Sequence, residues 1–327
     1  MTTTTQLAPH RSPVDLPISV VICAYTDRRW EDIVGAVASV RAQTRPPART
    51  ILVVDHNPPL LERARAAFPD VQVVPNVGRR GLSGARNSGI AHAIGEVVAF
   101  LDDDARAEPD WLERLAAGYA NPKVVGVGGA ATPVWPGRRP RWLPPEFDWV
   151  VGCSFTGMPE APAPVRNLIG ANMSFRREVF GSVGGFTDGL GRVGSRPLGC
   201  EETELGIRLR QWRPSARLVY EPAAVVRHRV TADRTAWRYF CSRCFAEGIS
   251  KAMVSRRVGA RDALETERRY VRSVLPRAIL RGLDPRRHGR TGGIATAGAI
   301  LAGLGLAAAG YLRGRLARRS PRQGGAA

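Results

Sequence analysis

The sequence predicts an α/β protein: a mostly parallel sheet with helices on both faces, followed by a C-terminal helical extension. Three observations predict it. Continuous β-branched runs alternate with segments of helical spacing, as buried parallel strands and their crossover helices do. Acidic or aromatic residues stand directly after several of those runs, at the strand ends where such sheets bind ligands. Beyond residue 228 the alternation gives way to arginine-rich stretches of helical spacing and then to an uncharged run, residues 291–312.

Residues 1–15 are polar and read as a disordered tail ahead of a domain at 16–228. ISVVICAY at 18–25 is the first strand. Residues 30–41 carry helical spacing through Ile33, Val37 and Val40. TILVVD at 50–55 is the second strand, 60–67 a short helix, VQVV at 71–74 the third strand, 82–94 a helix and EVVAFL at 96–101 the fourth strand. The first strand is followed by Ala24-Tyr25-Thr26-Asp27, the second by Asp55-His56-Asn57 and the fourth by Asp102-Asp103-Asp104. Three adjacent carboxylates repel one another and raise one another's pKa unless a cation neutralises them. Oxygen ligands of this kind suit Mg²⁺ or Mn²⁺ with phosphate co-ligands.

Residues 81–112, GLSGARNSGIAHAIGEVVAFLDDDARAEPDWL, resemble the heart of the family 2 glycosyltransferases: a helix bearing A-R-N-x-G, a strand, a D-x-D, then P-D-W-L opening a helix. The resemblance runs from about Ile18 to about His228. It implies the GT-A type of Rossmann-like fold, a nucleotide-sugar donor and a divalent metal. It maps the D-x-D onto Asp102 and Asp104, with the register set by Pro109-Asp110-Trp111-Leu112. Asp104 would ligate the metal, and Asp102 would face the ribose or sugar with Asp103 in support. Tyr25 would stack on the base and Asp55 would accept from its ring N–H. Arg79, Arg80 and Arg86 lie near enough in sequence to meet phosphate, and Arg86 is taken as the donor contact.

Residues 165–186, VRNLIGANMSFRREVFGSVGGF, resemble the family's acceptor-side segment, in which Gly170, Ala171 and Asn172 would let the donor sugar approach the backbone. At 199–212, GCEETELGIRLRQW stands where relatives show G-E-D-x-[DE]-L. Aligning on Thr-Glu-Leu puts Glu202 at the position of the general base, and Glu201 remains the competitor. His228, after the run 216–222, matches a histidine that completes the metal site in many relatives. The resemblance also implies in-line displacement with inversion.

The chain's net charge of +19 is divided unevenly. Residues 1–220 hold 26 basic and 22 acidic side chains, whereas 221–327 hold 22 and 7. The excess therefore belongs to a basic helical extension at 229–290, an apolar segment at 291–313 and a basic tail at 314–327. The uncharged run reaches the roughly 20 residues that span a hydrocarbon core, and arginines flank it on both sides, so a membrane-associated or single-pass helix is expected. A cytoplasmic supply of nucleotide sugar places the catalytic part on the cytoplasmic face. Five scattered cysteines and a polar start suit a reducing compartment, and Cys241-x-x-Cys244 reads as two thiols on one helix face.

The expected activity is a hexosyltransferase-like transfer from a nucleotide sugar, a UDP-sugar foremost, to a glycan, lipid-linked or small-molecule acceptor. A sugar-phosphate nucleotidyltransferase of related fold would need a Gly-rich, Lys-bearing N-terminal phosphate loop, which the sequence lacks. A basic nucleic-acid-binding protein would interleave aromatics with arginines; only 237–245 suggests this, and no nucleic-acid partner is expected.

Overall fold

A computed structural model describes residues 16–192, 194, 197–283 and 285–317, the side chains of 285–292 excepted. The expected tail at 1–15 and the last basic residues, 318–327, lie outside the described residues.

The elements run β1 (Ile18–Ala24), α1 (Trp30–Arg41), β2 (Arg49–Val54), α2 (Pro58–Ala67), β3 (Gln72–Pro75), α3 (Leu82–His92), β4 (Val97–Asp102), β5 (Ala105–Ala107), α4 (Trp111–Ala117), β6 (Val124–Val134), β7 (Ala163–Val165), β8 (Asn172–Arg176), α5 (Glu178–Val183), α6 (Glu201–Trp212) and β9 (Arg217–Arg229). The helical extension follows as α7 (Trp237–Val258), α8 (Ala260–Ala263), α9 (Glu265–Arg269), α10 (Leu275–Leu283) and α11 (Pro285–Leu316).

One sheet has the order β3-β2-β1-β4-β8-β6-β9-β5, with β7 also on β9. Its first four strands are parallel, as expected from their uninterrupted apolar runs. Beyond β4 the character changes: β8 lies antiparallel to β4 and β6, and β5 and β7 are antiparallel to β9. Only β6 and β9 restore a parallel pair there. The sheet is mixed: parallel from β3 to β4 and in the long β6–β9 pair, antiparallel where β8, β5 and β7 join it. Its second half joins strands far apart in sequence, which local periodicity does not reveal.

Two apolar layers sandwich the sheet. Ile33, Val37, Leu60 and Leu115 of α1, α2 and α4 cover one face with Val20, Ile22 and Leu52. Phe180, Leu205 and Leu209 of α5 and α6 cover the other with Val21, Ile51, Phe100 and Phe175. Trp111 of P-D-W-L is fully buried, and its indole N–H donates to Asn172 Oδ1 at 2.8 Å. That bond ties the start of α4 to the first residue of β8.

A third apolar cluster belongs to the extension, where Phe240 and Cys244 of α7 meet Leu275 and Ala278 of α10 and Ala299 and Ile300 of α11. Cys241 and Cys244 sit three apart on α7 as free thiols. Helix α11 lies along α7 at short range because both carry glycine at the crossing. A Cβ on Gly248 would overlap the Ala307 carbonyl, and one on Gly310 would overlap the Phe245 carbonyl. The segment Gly293–Leu316 is long and apolar enough to cross a membrane, with a mean hydropathy of 1.7. One face is packed on α7 and the other leaves Ile294, Leu301 and Leu312 exposed.

A leucine at position 310 would meet backbone on the facing helix, which cannot move aside like a side chain. Gly310→Leu should therefore destabilise the protein by about 1–3 kcal/mol. Thermal unfolding would read the loss, and limited proteolysis would show α11 freed from α7.

Candidate active site

The fold brings the strand ends together. In the parallel register Cys23 of β1 lies beside Asp102 of β4, so the loop after β1 and the Asp102-Asp103-Asp104 run adjoin. Antiparallel pairing of β5 with β9 sets His228 opposite Ala105, next to Asp104. The Arg229 backbone N–H donates to the Asp104 carbonyl at 2.8 Å and locks this corner. A cavity of about 700 Å³ opens over these ends, lined among others by Tyr25, Asp55, Asp102, Asp104, Glu202 and His228.

Asp102, Asp104 and His228 present one ligand atom each, all within 4.8 Å of one another. His228 Nε2 lies 3.2 Å from Asp104 Oδ1, while its Nδ1 faces Cys153 Sγ at 3.8 Å. Asp104 Oδ2 is buried and makes no aligned hydrogen bond, and the guanidinium groups of Arg29 and Arg234 face it. Two carboxylates and an imidazole nitrogen gathered this closely are a donor set that fits a hard or borderline divalent cation.

The charges around this trio are balanced from the side. Arg29 approaches Asp103 at 2.7 Å and Asp104 at 3.1 Å, and Arg234 lies 3.4 Å from Asp104. Burial opposes ionisation of Asp104, but His228, Arg29 and Arg234 outweigh it and hold the carboxyl well below the usual range. Burial pushes Asp103 up to about 7 against the pull of Arg29. Burial would depress His228, yet the facing Asp104 lifts it to about 10. Neither arginine was singled out from the sequence. Their signal lay in position alone: Arg29 follows the first strand end by five residues, and Arg234 follows His228 by six.

The two glutamates that open α6 have different surroundings. Glu201 is 4% exposed and its Oε1 accepts from Arg86 Nη1 at 2.6 Å. Glu202 is half-buried on the cavity wall, and its recorded partner is the Thr203 hydroxyl at 3.2 Å. Burial, reinforced by Glu201, raises the Glu202 carboxyl to about 8. Cys200, just before α6, holds a left-handed φ of 71°, and its thiol donates to Glu247 Oε1 of α7 at 3.1 Å. A non-glycine residue in that region stores backbone strain, here held by the link to α7.

Two expectations need correction. Arg86 lines the cavity but is not free to meet phosphate. It is 2% exposed, and its guanidinium donates to Glu201, to Asp102 at 3.3 Å and to the Gly170 carbonyl at 2.9 Å. Asn172 does not face the donor at all. It is fully buried, its Nδ2 donates to the Ala130 and Ala224 carbonyls at 2.8 Å each, and its Oδ1 takes the Trp111 indole. The cavity wall there is Gly170 and Ala171. Tyr25 is 40% exposed with Arg29 over its ring. Asp55 accepts from Asn76 Nδ2 and the Gly81 N–H and contacts His56 Nδ1, which occupies three of roughly four acceptor positions of a carboxylate.

If Arg86 is a strut, Arg86→Met should cost about 3–5 kcal/mol by leaving Glu201 buried and uncompensated. The double variant Arg86→Met/Glu201→Met should recover much of that loss in denaturant unfolding. An additive double variant would contradict the pairing.

Residues 19–184 match the family model for glycosyl transferase family 2. The glucosyl-dolichyl phosphate glucuronosyltransferase of Haloferax volcanii is 39% identical over 243 residues, covering 73% of this chain and 77% of the relative. The pre-mycofactocin glycosyltransferase of Mycobacterium tuberculosis is 28% identical over 52% of this chain and 35% of its own. Among solved structures, the mannosyltransferase PcManGT from Pyrobaculum calidifontis, in complex with GDP-Man and Mn²⁺, is similar in fold with a TM-score of 0.56 at 17% identity, covering 92% of this chain and 88% of that one. With a family model spanning half the chain and a relative matched over three quarters of its length, this chain belongs to the family 2 glycosyltransferases and is a glycosyltransferase of GT-A type fold.

Proposed function

We propose that the chain moves a sugar from a nucleotide-sugar donor to a hydroxyl of a lipid-linked acceptor, in one displacement with inversion at the anomeric carbon. The observation that carries this reading is the meeting, in one cavity, of a metal-competent trio with a carboxylate, Glu202, that makes no direct ion pair among the described residues. Lipid linkage is supported by the relative that acts on glucosyl-dolichyl phosphate, and a nucleotide donor by the GDP-Man-bound structural neighbour. A UDP-sugar is the donor to test first.

Asp104 and His228, with Asp102, would hold a divalent cation such as Mn²⁺ or Mg²⁺. When bound, it would offset the charge that grows on the departing diphosphate. His228 must be neutral to ligate, so it would give up its ring proton. Tyr25 offers a face to the base, and Asp55 retains one acceptor position for a ring N–H. Glu202 takes the proton of the attacking hydroxyl, for which a carboxyl raised to about 8 is a stronger acceptor than an ordinary one. Glu201 holds Arg86, and so positions Glu202 without touching substrate.

The test is transfer or donor hydrolysis with UDP-, GDP- and dTDP-sugars, with and without Mn²⁺ and a chelator. Asp104→Ala should fall to background, and Glu202→Gln should lose about 10²–10⁴-fold in kcat while still binding donor. Because the carboxylate form accepts the proton, kcat/KM should rise with pH up to about 8 and level off above it. A profile already flat from pH 6, or full activity in Glu202→Gln, would remove Glu202 from this role.

The same reading places the protein on the cytoplasmic face of a membrane. Membrane contact is supported by the exposed Ile294 and Leu301 on the outer face of α11, by Leu280 and Leu283 on α10, and by the arginines Arg268, Arg269, Arg272 and Arg277, which line a second cavity together with Asp262 and Glu265. With α11 seated on α7, an interfacial position suits it better than a crossing. Leu301→Glu combined with Ile294→Glu should release the protein from membranes on fractionation without lowering its melting temperature. A protein that still pellets with membranes would refute the contact.

A further inference from the structure

The cavity over the catalytic carboxylates has a second end that the chemistry above does not use. Its wall there is apolar: Phe155 before β7, Tyr270 and Val271 between α9 and α10, and Leu304, Ala308 and Leu312 of α11 all line it. Phe155 and Tyr270 meet edge to face with centroids 5.5 Å apart. A nucleotide sugar has nothing to pair with such a wall, since burying hydroxyls or phosphates against hydrocarbon leaves them unsatisfied. An apolar wall continuous with a catalytic site calls for a ligand that is itself polar at one end and apolar at the other.

The same cavity carries a chain of alternating charges. Arg166 meets Glu267 at 2.6 Å, Glu267 meets Lys251 at 2.6 Å, Lys251 lies 3.4 Å from Glu247, and Glu247 meets Arg243 at 2.8 Å. All five line the cavity. Three cations against two carboxylates leave one net positive charge, the sign that suits a phosphate monoanion or diester. The apolar end also has an outlet. Ala308 and Leu312 are exposed while lining the cavity, and they continue the outward apolar face of α11.

From this continuity we propose that the C-terminal helices are part of the acceptor site. The apolar end between the π-helical segment that opens at Tyr270 and α11 holds the first isoprene units of a polyprenyl phosphate-linked acceptor, the Arg166–Arg243 charge chain faces its phosphate, and the rest of the hydrocarbon leaves beside α11. This rests on the reading that the acceptor is lipid-linked and gives that acceptor a place. It also gives α11 a function in substrate binding as well as in location.

The test uses the full chain in detergent with a diazirine-bearing farnesyl phosphate as the probe, alongside a transfer assay with glycosyl-phosphoprenyl acceptors. Saturable photolabelling within residues 264–275 and 303–312 is expected, competed by unlabelled farnesyl phosphate and not by UDP. Ala308→Trp and Val271→Trp add bulk to the channel from two different helical elements, and each should cut labelling roughly tenfold. Each should also raise the KM for a long-chain acceptor more than for a short-chain one. Two variants on separate elements guard against one of them failing to fold, which thermal unfolding would show. Transfer to lipid-linked acceptors with labelling that is unsaturable, or untouched by both variants, would overturn the channel and leave the acceptor class standing. Transfer to soluble acceptors alone would overturn both.

Discussion

The site is organised around one buried guanidinium. Arg86 comes from the middle of α3, and its donors reach the first turn of α6 through Glu201, the end of β4 through Asp102 and the approach to β8 through the Gly170 carbonyl. A charge taken out of water at this depth is tolerable only with its carboxylates in place. The three elements are therefore held together by the requirement that none of those charges be left alone, and burial raises that requirement. The consequence for chemistry is positional: once Glu201 is fixed on Arg86, the next residue of the helix, Glu202, is turned to the cavity wall.

A second constraint is the balance of charge at the strand ends. Three consecutive carboxylates would be unstable as a bare cluster, and the fold divides them. Asp102 shares Arg86, Asp103 is given to Arg29, and Asp104 is surrounded by Arg29, Arg234 and His228. The ions come from β1's following loop, from the end of β9 and from the turn before α7, so the pairing also closes the N-terminal and C-terminal halves of the sheet onto each other. A cation entering between Asp102, Asp104 and His228 would meet ligands already ordered by this balance, which lowers the reorganisation that binding requires.

What the sequence made legible, and what it did not, follows from the range of the forces involved. β1 to β4 and the helices between them announce themselves by local periodicity, and α1 falls on residues 30–41 as read. The strand-end rule points to Tyr25, Asp55 and the aspartates without any knowledge of contacts, and the family resemblance adds His228; the fold gathers them around one cavity. The antiparallel half of the sheet depends on pairings such as β4 with β8, across some seventy residues, and no local pattern encodes those. Polar residues were the other difficulty. Asn172 lies next to cavity residues in sequence, yet neighbours from β6, β9 and α4 turn it to the core, and Arg86, though it lines the cavity, is taken up by Glu201 of α6. The same limitation hides from the sequence that Glu201, and not Glu202, is the hydrogen-bond partner of Arg86.

The C-terminal third shows how composition can be right about a segment and incomplete about its use. A run rich in alanine and glycine, apolar yet small-sided, satisfies two physical demands at once. Its glycines permit backbone contact between α11 and α7, which larger residues would prevent. Its larger apolar residues are then left for the other faces, where Leu304 and Leu312 border the cavity and Ile294 and Leu301 face outward. A helix evolved only to cross a bilayer has no need of a tight seam against a helix carrying Arg243, Glu247 and Lys251. Conversely, one made only to complete a soluble core would not leave an apolar face open along its length. The combination places a hydrocarbon-compatible surface directly beside a charged catalytic cavity, and that adjacency is what an enzyme must have if one end of its substrate stays in lipid while the other reacts in water.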